Sequence, residues 1–118
     1  MTEKLETAKK LEIVREAIDE RKAENVEVLD LTDRTLIADY FVVASGTSNV
    51  HIKGIADGVI KKMREHKVHA DRVEGYTQAK WVLVDYGDVV VHVFATEERE
   101  FYDLETLWRA TAERLTVG

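Results

Sequence analysis

The stretch WVLVDYGDVVVHVF, residues 81–94, decides the fold. Two β-rich runs are separated by Tyr86-Gly87 and flanked by Asp85 and Asp88. β-Branched and aromatic side chains pack well on a pleated surface, and glycine supplies the positive φ that a tight antiparallel turn requires. The segment therefore predicts a β-hairpin. Alternation along its first strand puts Trp81, Leu83 and Asp85 on one face and Val82 and Val84 on the other. Tyr86, five residues from Trp81, points to the opposite face unless the turn re-aims it. One of these faces must pack on helices.

Upstream of the hairpin, YFVVA at 40–44 is apolar throughout, as suits a strand covered on both faces. It runs into Gly46-Thr47-Ser48, after which Ile52, Ile55, Ala56, Val59, Ile60 and Met63 recur at helical spacing to about His66. Ser48 is the natural N-cap, its hydroxyl accepting from a free backbone N–H one turn in. Residues 3–21 form an amphipathic helix through Leu5, Ala8, Leu11, Val14 and Ile18, and NVEVLDL (25–31) alternates as a short strand. TDRTLIAD (32–39) is polar and turn-like. Beyond the hairpin, Phe101, Leu104, Leu107, Trp108, Thr111 and Leu115 keep helical spacing and predict an amphipathic last helix. The order helix-strand-strand-helix-strands-helix implies an α/β fold: one mixed β-sheet with flanking helices. With no proline, no repeat and no low-complexity run, residues 1–118 read as a single domain.

At 118 residues and 45% hydrophobic content the chain can bury one core, removing roughly 65% of its unfolded surface from water without staples. It has no cysteine, which excludes disulfides, thiolate metal sites and Cys nucleophiles and fits a reducing cytosol. The charged N-terminus lacks a signal or transit composition, and no window approaches a membrane span. The expectation is a soluble, untargeted protein. A net charge of −6 argues against a grip on nucleic acid through phosphates, since only Lys61, Lys62, Arg64, His66 and Lys67 cluster, interrupted by Glu65. An acidic body suits a basic protein partner, or serves solubility alone.

The Gly46-Thr47-Ser48 turn opening a helix is where backbone N–H groups and the helix dipole can meet a phosphate. A capped helix start explains the same residues, because neither a dinucleotide fingerprint nor a P-loop is present and no lysine follows. A nucleotidyltransferase would also need paired acids on adjoining strands to hold metal. No Asp-x-Asp follows the turn, and Asp85 and Asp88 suit the hairpin turn itself. His66 and His69 lack a third ligand and read as surface, while His92, mid-strand among valines, reads as a core or edge histidine. Trp81 suits a core position as well as it suits an interaction anchor with an apolar neighbour and an acidic rim.

Three separated motifs then carry a resemblance: DYFVVASGTSN (39–49), WVLVDYGDVVVHVF (81–94) and REFYDLETLW (99–108). Together, in this order and over nearly the whole chain, they resemble the ribosomal silencing factor family, also called RsfS or Iojap. The resemblance implies a nucleotidyltransferase-like fold without the catalytic acids, no cofactor, no metal and no enzymatic step. It implies binding of the free large ribosomal subunit on its fourteenth protein, which blocks joining of the small subunit and lowers translation when nutrients are short. Carried over by position, Trp81, Leu83, Asp85 and Tyr86 are expected at the partner contact, with Arg99 and Tyr102 from the last motif as weaker candidates. Asp39, Gly46, Thr47, Gly87, His92 and Glu105 also match, and there folding suffices as an explanation. Two other readings stand beside this one. One is a residual nucleotide-binding or transfer enzyme using Gly46, Thr47, Ser48 and Asp85; the other is a homodimer formed through the same apolar face.

Overall fold

The structure is a computed structural model that describes residues 6–32 and 36–107. The expectations that rest on Leu5, Trp108, Thr111 and Leu115 lie outside the described residues. Chain order is α1 (Thr7–Glu20), β1 (Glu24–Asp30), β2 (Tyr40–Gly46), α2 (Asn49–Glu65), β3 (Arg72–Glu74), β4 (Trp81–Asp85), β5 (Val89–Ala95) and α3 (Thr96–Tyr102). The five strands form one sheet in the order β1-β2-β5-β4-β3, with β2 and β5 parallel and every other neighbour antiparallel. This is the mixed sheet with flanking helices that the alternation predicts.

The most apolar strands lie at the centre because only there are both faces shielded from water. Val42, Val43 and Ala44 of β2 and Val89, Val91 and Val93 of β5 are fully buried. On one face Val42, Val82, Val84, Val91 and Val93 pack against Ile13, Val14, Ala17 and Ile18 of α1 and Ile52, Ile55, Val59 and Met63 of α2. On the other face Leu29, Leu31, Phe41, Val43, Val90 and Phe94 form a second, smaller cluster, with no long helix over it among the described residues. Trp81, Leu83 and Leu104 are only partly buried at its margin.

The hairpin is present, with its turn one residue later than the composition indicates. Tyr86 N–H still donates to Val89 O at 2.9 Å, so the connecting pair is Gly87-Asp88. Gly87 takes φ +87° there, and Asp85 Oδ1 accepts its N–H at 2.8 Å, the local bond that suits aspartate to turns. Asp88 faces away and accepts from Thr7 Oγ1 and from Lys10 Nζ at 3.0 Å, which ties the start of α1 to the hairpin.

Helix α2 begins as expected, Ser48 Oγ accepting from His51 N–H at 3.1 Å. Gly46 is required at the bend, because a Cβ there would stand 2.6 Å from Ile52 Cγ1 and 3.1 Å from its backbone nitrogen. The last helix differs from the expectation. Its regular part ends at Tyr102, where Asp103 takes the left-handed conformation (φ 45°, ψ 53°), and a separate helical turn follows at 104–107. Phe101, expected on a buried stripe, is 80% exposed. The short edge strand β3 carries Arg72, Val73 and Glu74, all exposed, and has no apolar pattern of its own. It exists through its register with β4, Arg72 opposite Asp85 and Glu74 opposite Leu83.

Candidate functional site

The face of the sheet opposite α1 and α2 is built by register. Because β4 and β5 are antiparallel, Trp81 lies opposite Phe94, Leu83 opposite His92 and Asp85 opposite Val90. The parallel pairing with β2 extends two of these rows to Ser45-Phe94-Trp81 and Val43-His92-Leu83. Trp81 stacks on Phe94 with ring centroids 4.9 Å apart, and Tyr102 of α3 lies against the indole at 4.8 Å. Phe101 stands edge-on to Tyr102 at 5.0 Å. The result is a ladder of aromatic rings running from the buried sheet to solvent, where Tyr102, Phe101 and Leu107 are exposed.

Trp81 and Leu83 share this face, as the alternation along β4 predicts, and Tyr102 packs on the indole. Asp85 is on the same face at the far end of β4, where its Oδ2 accepts from Arg72 Nε at 3.0 Å. Tyr86 is elsewhere. With the turn displaced, β4's alternation runs one residue further, and Tyr86 enters the core under α1 and α2, 5% exposed. Its hydroxyl has no hydrogen-bond partner among the described residues, and burial pushes its pKa up to about 12 against a weaker opposing effect of Arg64. An exposed contact by this side chain is therefore ruled out in this conformation.

Arg99 acts from beneath. Its Nε and Nη2 donate to the two carboxylate oxygens of Glu105 at 3.1 and 3.3 Å, and Nη1 donates to the buried Ser45 Oγ at 2.8 Å. The planar guanidinium thus clamps both sides of the Asp103 break to the end of β2. Arg99 itself is only 11% exposed, so it fixes the position of Tyr102 and Phe101 without being presented to solvent. Glu97, Glu100 and Asp103 are exposed around this segment and give it an acidic rim.

His92 is the core histidine that its place among valines predicts, with a contact that its spacing does not announce. It is 4% exposed, edge-on to Phe41 at 4.6 Å, and its Nδ1 accepts the Trp81 indole N–H at 3.1 Å. Burial pushes its pKa down to about 4, the charge of Asp85 acting weakly the other way. Counting along the two-residue turn would have revealed the pair, since Trp81 opposite Phe94 makes His92 its diagonal neighbour.

A second concavity of about 350 Å³ lies at the glycine turn, lined by Gly46, Thr47, Ser48, Lys80, Glu97 and Glu98. Two of the backbone N–H groups at the turn, those of Thr47 and His51, are already engaged. Thr47 N–H donates to His51 Nδ1 at 2.9 Å, and the opposite ring nitrogen donates to Arg21 O at 2.8 Å. Two carboxylates in the lining oppose an anion further. Among the described residues no group of three or more His, Asp or Glu side chains is placed to hold a metal ion. No helix among them is long and apolar enough to cross a membrane.

The family profile described as "Ribosomal silencing factor during starvation" matches residues 4–117. The chain belongs to the ribosomal silencing factor family. Within that family, a protein of Halalkalibacterium halodurans named ribosomal silencing factor RsfS is 45% identical over 98 residues, covering 83% of this chain and 84% of the relative. A more distant relative from Mus musculus, named mitochondrial assembly of ribosomal large subunit protein 1, is 33% identical over 92 residues, covering 75% of this chain and 40% of its own. A crystal structure of a Chromobacterium violaceum protein superposes with a TM-score of 0.86 at 36% identity, covering 88% of this chain and 87% of the other. This silencing-factor chain therefore shares its fold, and not only short motifs, with a solved relative.

Proposed function

We propose that the protein binds the free large ribosomal subunit, through its fourteenth protein, and by its bulk keeps the small subunit from joining, so that translation falls under nutrient limitation. The observation that carries this reading is the sheet face opposite α1 and α2: a contiguous aromatic ladder of Trp81, Tyr102 and Phe101, rimmed by Glu97, Glu100 and Asp103, in a chain of net charge −6. Exposed aromatics with a polar rim are the usual anchors of protein interfaces, and ribosomal proteins are basic, which gives an acidic rim its complement. Family membership and the name of the mouse relative point the same way. The setting for such an activity is the cytoplasm, where ribosomal subunits are met. No chemical step is required, and the engaged Thr47 N–H leaves the glycine turn as a helix cap rather than a nucleotide cradle.

Sedimentation with purified large subunits tests the reading. Phe101→Ser removes an 80% exposed ring and so leaves thermal stability unchanged while weakening co-sedimentation by about tenfold or more, as loss of an interface anchor does. Unaltered binding by that variant and by Trp81→Ala, both folded, would remove this face from the mechanism. A second copy of the chain on the same face would show instead as a dimer that added large subunits do not dissociate.

A further inference from the structure

We infer that His92 is a positioning residue for docking: by accepting the indole N–H, it locks the Trp81 ring in the one orientation that carries the Tyr102 and Phe101 contacts outward. The inference rests on the docking reading above and adds to it a residue that never meets the partner.

A ring stacked on another can rotate in its own plane at little cost, because the stacking attraction is broad. Trp81 on Phe94, at 4.9 Å and an interplanar angle of 26°, is such a pair. A hydrogen bond is directional. The bond from Trp81 Nε1 to His92 Nδ1, at 3.1 Å, therefore selects one rotation of the indole out of those the stack allows. Tyr102 packs on the ring so oriented, and Phe101 on Tyr102.

The rest of the imidazole shows that packing does not explain it. With Nδ1 accepting, the ring proton sits on Nε2, which is buried and has no partner among the described residues. An unpaired buried N–H opposes folding. Phenylalanine would fill the same space, against Phe41 at 4.6 Å and Phe94 at 6.2 Å, without that penalty. What histidine provides and phenylalanine lacks is the acceptor nitrogen.

Three proteins decide the matter: the wild type, His92→Phe and His92→Gln, whose carbonyl can still accept. Nitrogen-proton NMR of the free proteins reads the Trp81 indole N–H, identified by its loss in Trp81→Phe. In His92→Phe the signal is expected to shift upfield and exchange faster with water, with the fold intact, and affinity for purified large subunits to fall about tenfold, the equivalent of one hydrogen bond. His92→Gln is expected to restore most of both. A folded His92→Phe that binds as tightly as the wild type overturns the inference. So does a wild-type indole N–H that exchanges like a free one. If His92→Phe does not fold, Trp81→Phe removes the donor while keeping the stack and must show the same weakening. Failure of the wild type to bind large subunits sinks the docking reading, and the role of His92 in it, while the NMR signal still reports on the bond itself.

Discussion

At the scale of single residues, burial sets the chemistry. His92 titrates near 6.5 in an unfolded chain, and burial lowers this to about 4 in the folded one. Between those values the unfolded state holds a proton that the folded state refuses. The contribution is therefore complete above about pH 6.5 and is lost as pH falls toward 4, by up to roughly 3 kcal/mol. His92→Phe lacks this leg, so urea denaturation at about pH 7.5 and about pH 4.5 should show the wild type losing more stability than the variant. Tyr86 offers the opposite test. Its buried hydroxyl is unpaired among the described residues, so Tyr86→Phe should leave stability unchanged or raise it by up to about 1 kcal/mol, and should not alter large-subunit binding. Weakened binding in that variant would return Tyr86 to the interface. The side of the sheet that Tyr86 takes follows the alternation from Trp81; what the spacing leaves open is whether the turn re-aims it, since Asp85, Gly87 and Asp88 are compatible with a turn at either placement.

At the scale of elements, legibility follows how much each one depends on its own sequence. Strands β2 and β5 are apolar on both faces and helix α2 has a wide stripe and a serine cap, so each announces itself. Strand β3 does not, since Arg72-Val73-Glu74 becomes a strand only because β4 offers an edge. The end of α3 misleads for another reason. Phe101, Leu104 and Leu107 keep helical spacing across a residue that is not helical, and Asp103 can adopt the left-handed conformation that interrupts it. What holds the interrupted piece is the Arg99 clamp, partly buried and bidentate on Glu105. Arg99→Lys keeps the charge but loses the fork, and should cost about 2 kcal/mol. Hydrogen exchange should locate the loss, with amides at 96–107 exchanging faster and those of α2 unchanged; uniform loosening of the sheet would contradict a clamp.

At the scale of the whole molecule, the two faces of the sheet divide the work. Among the described residues, both helices of more than two turns lie on one side and build the larger core. On the other side the described residues leave Trp81, Leu83 and Leu104 only partly buried at the margin of the smaller cluster. The net charge of −6 should make association electrostatically steered, so that raising salt from about 50 to about 300 mM slows binding to large subunits more than it speeds release. Salt-independent association would place the acidic rim outside the encounter.

The parallel pairing of β2 with β5 carries a temporal consequence. Tyr40 waits for Val89 and Gly46 for Ala95, so the middle of the sheet stays open until residue 95 has been made. A nascent copy short of residue 95 lacks the finished face on which the proposed docking rests, and a chain released at residue 88 should remain unstructured by circular dichroism.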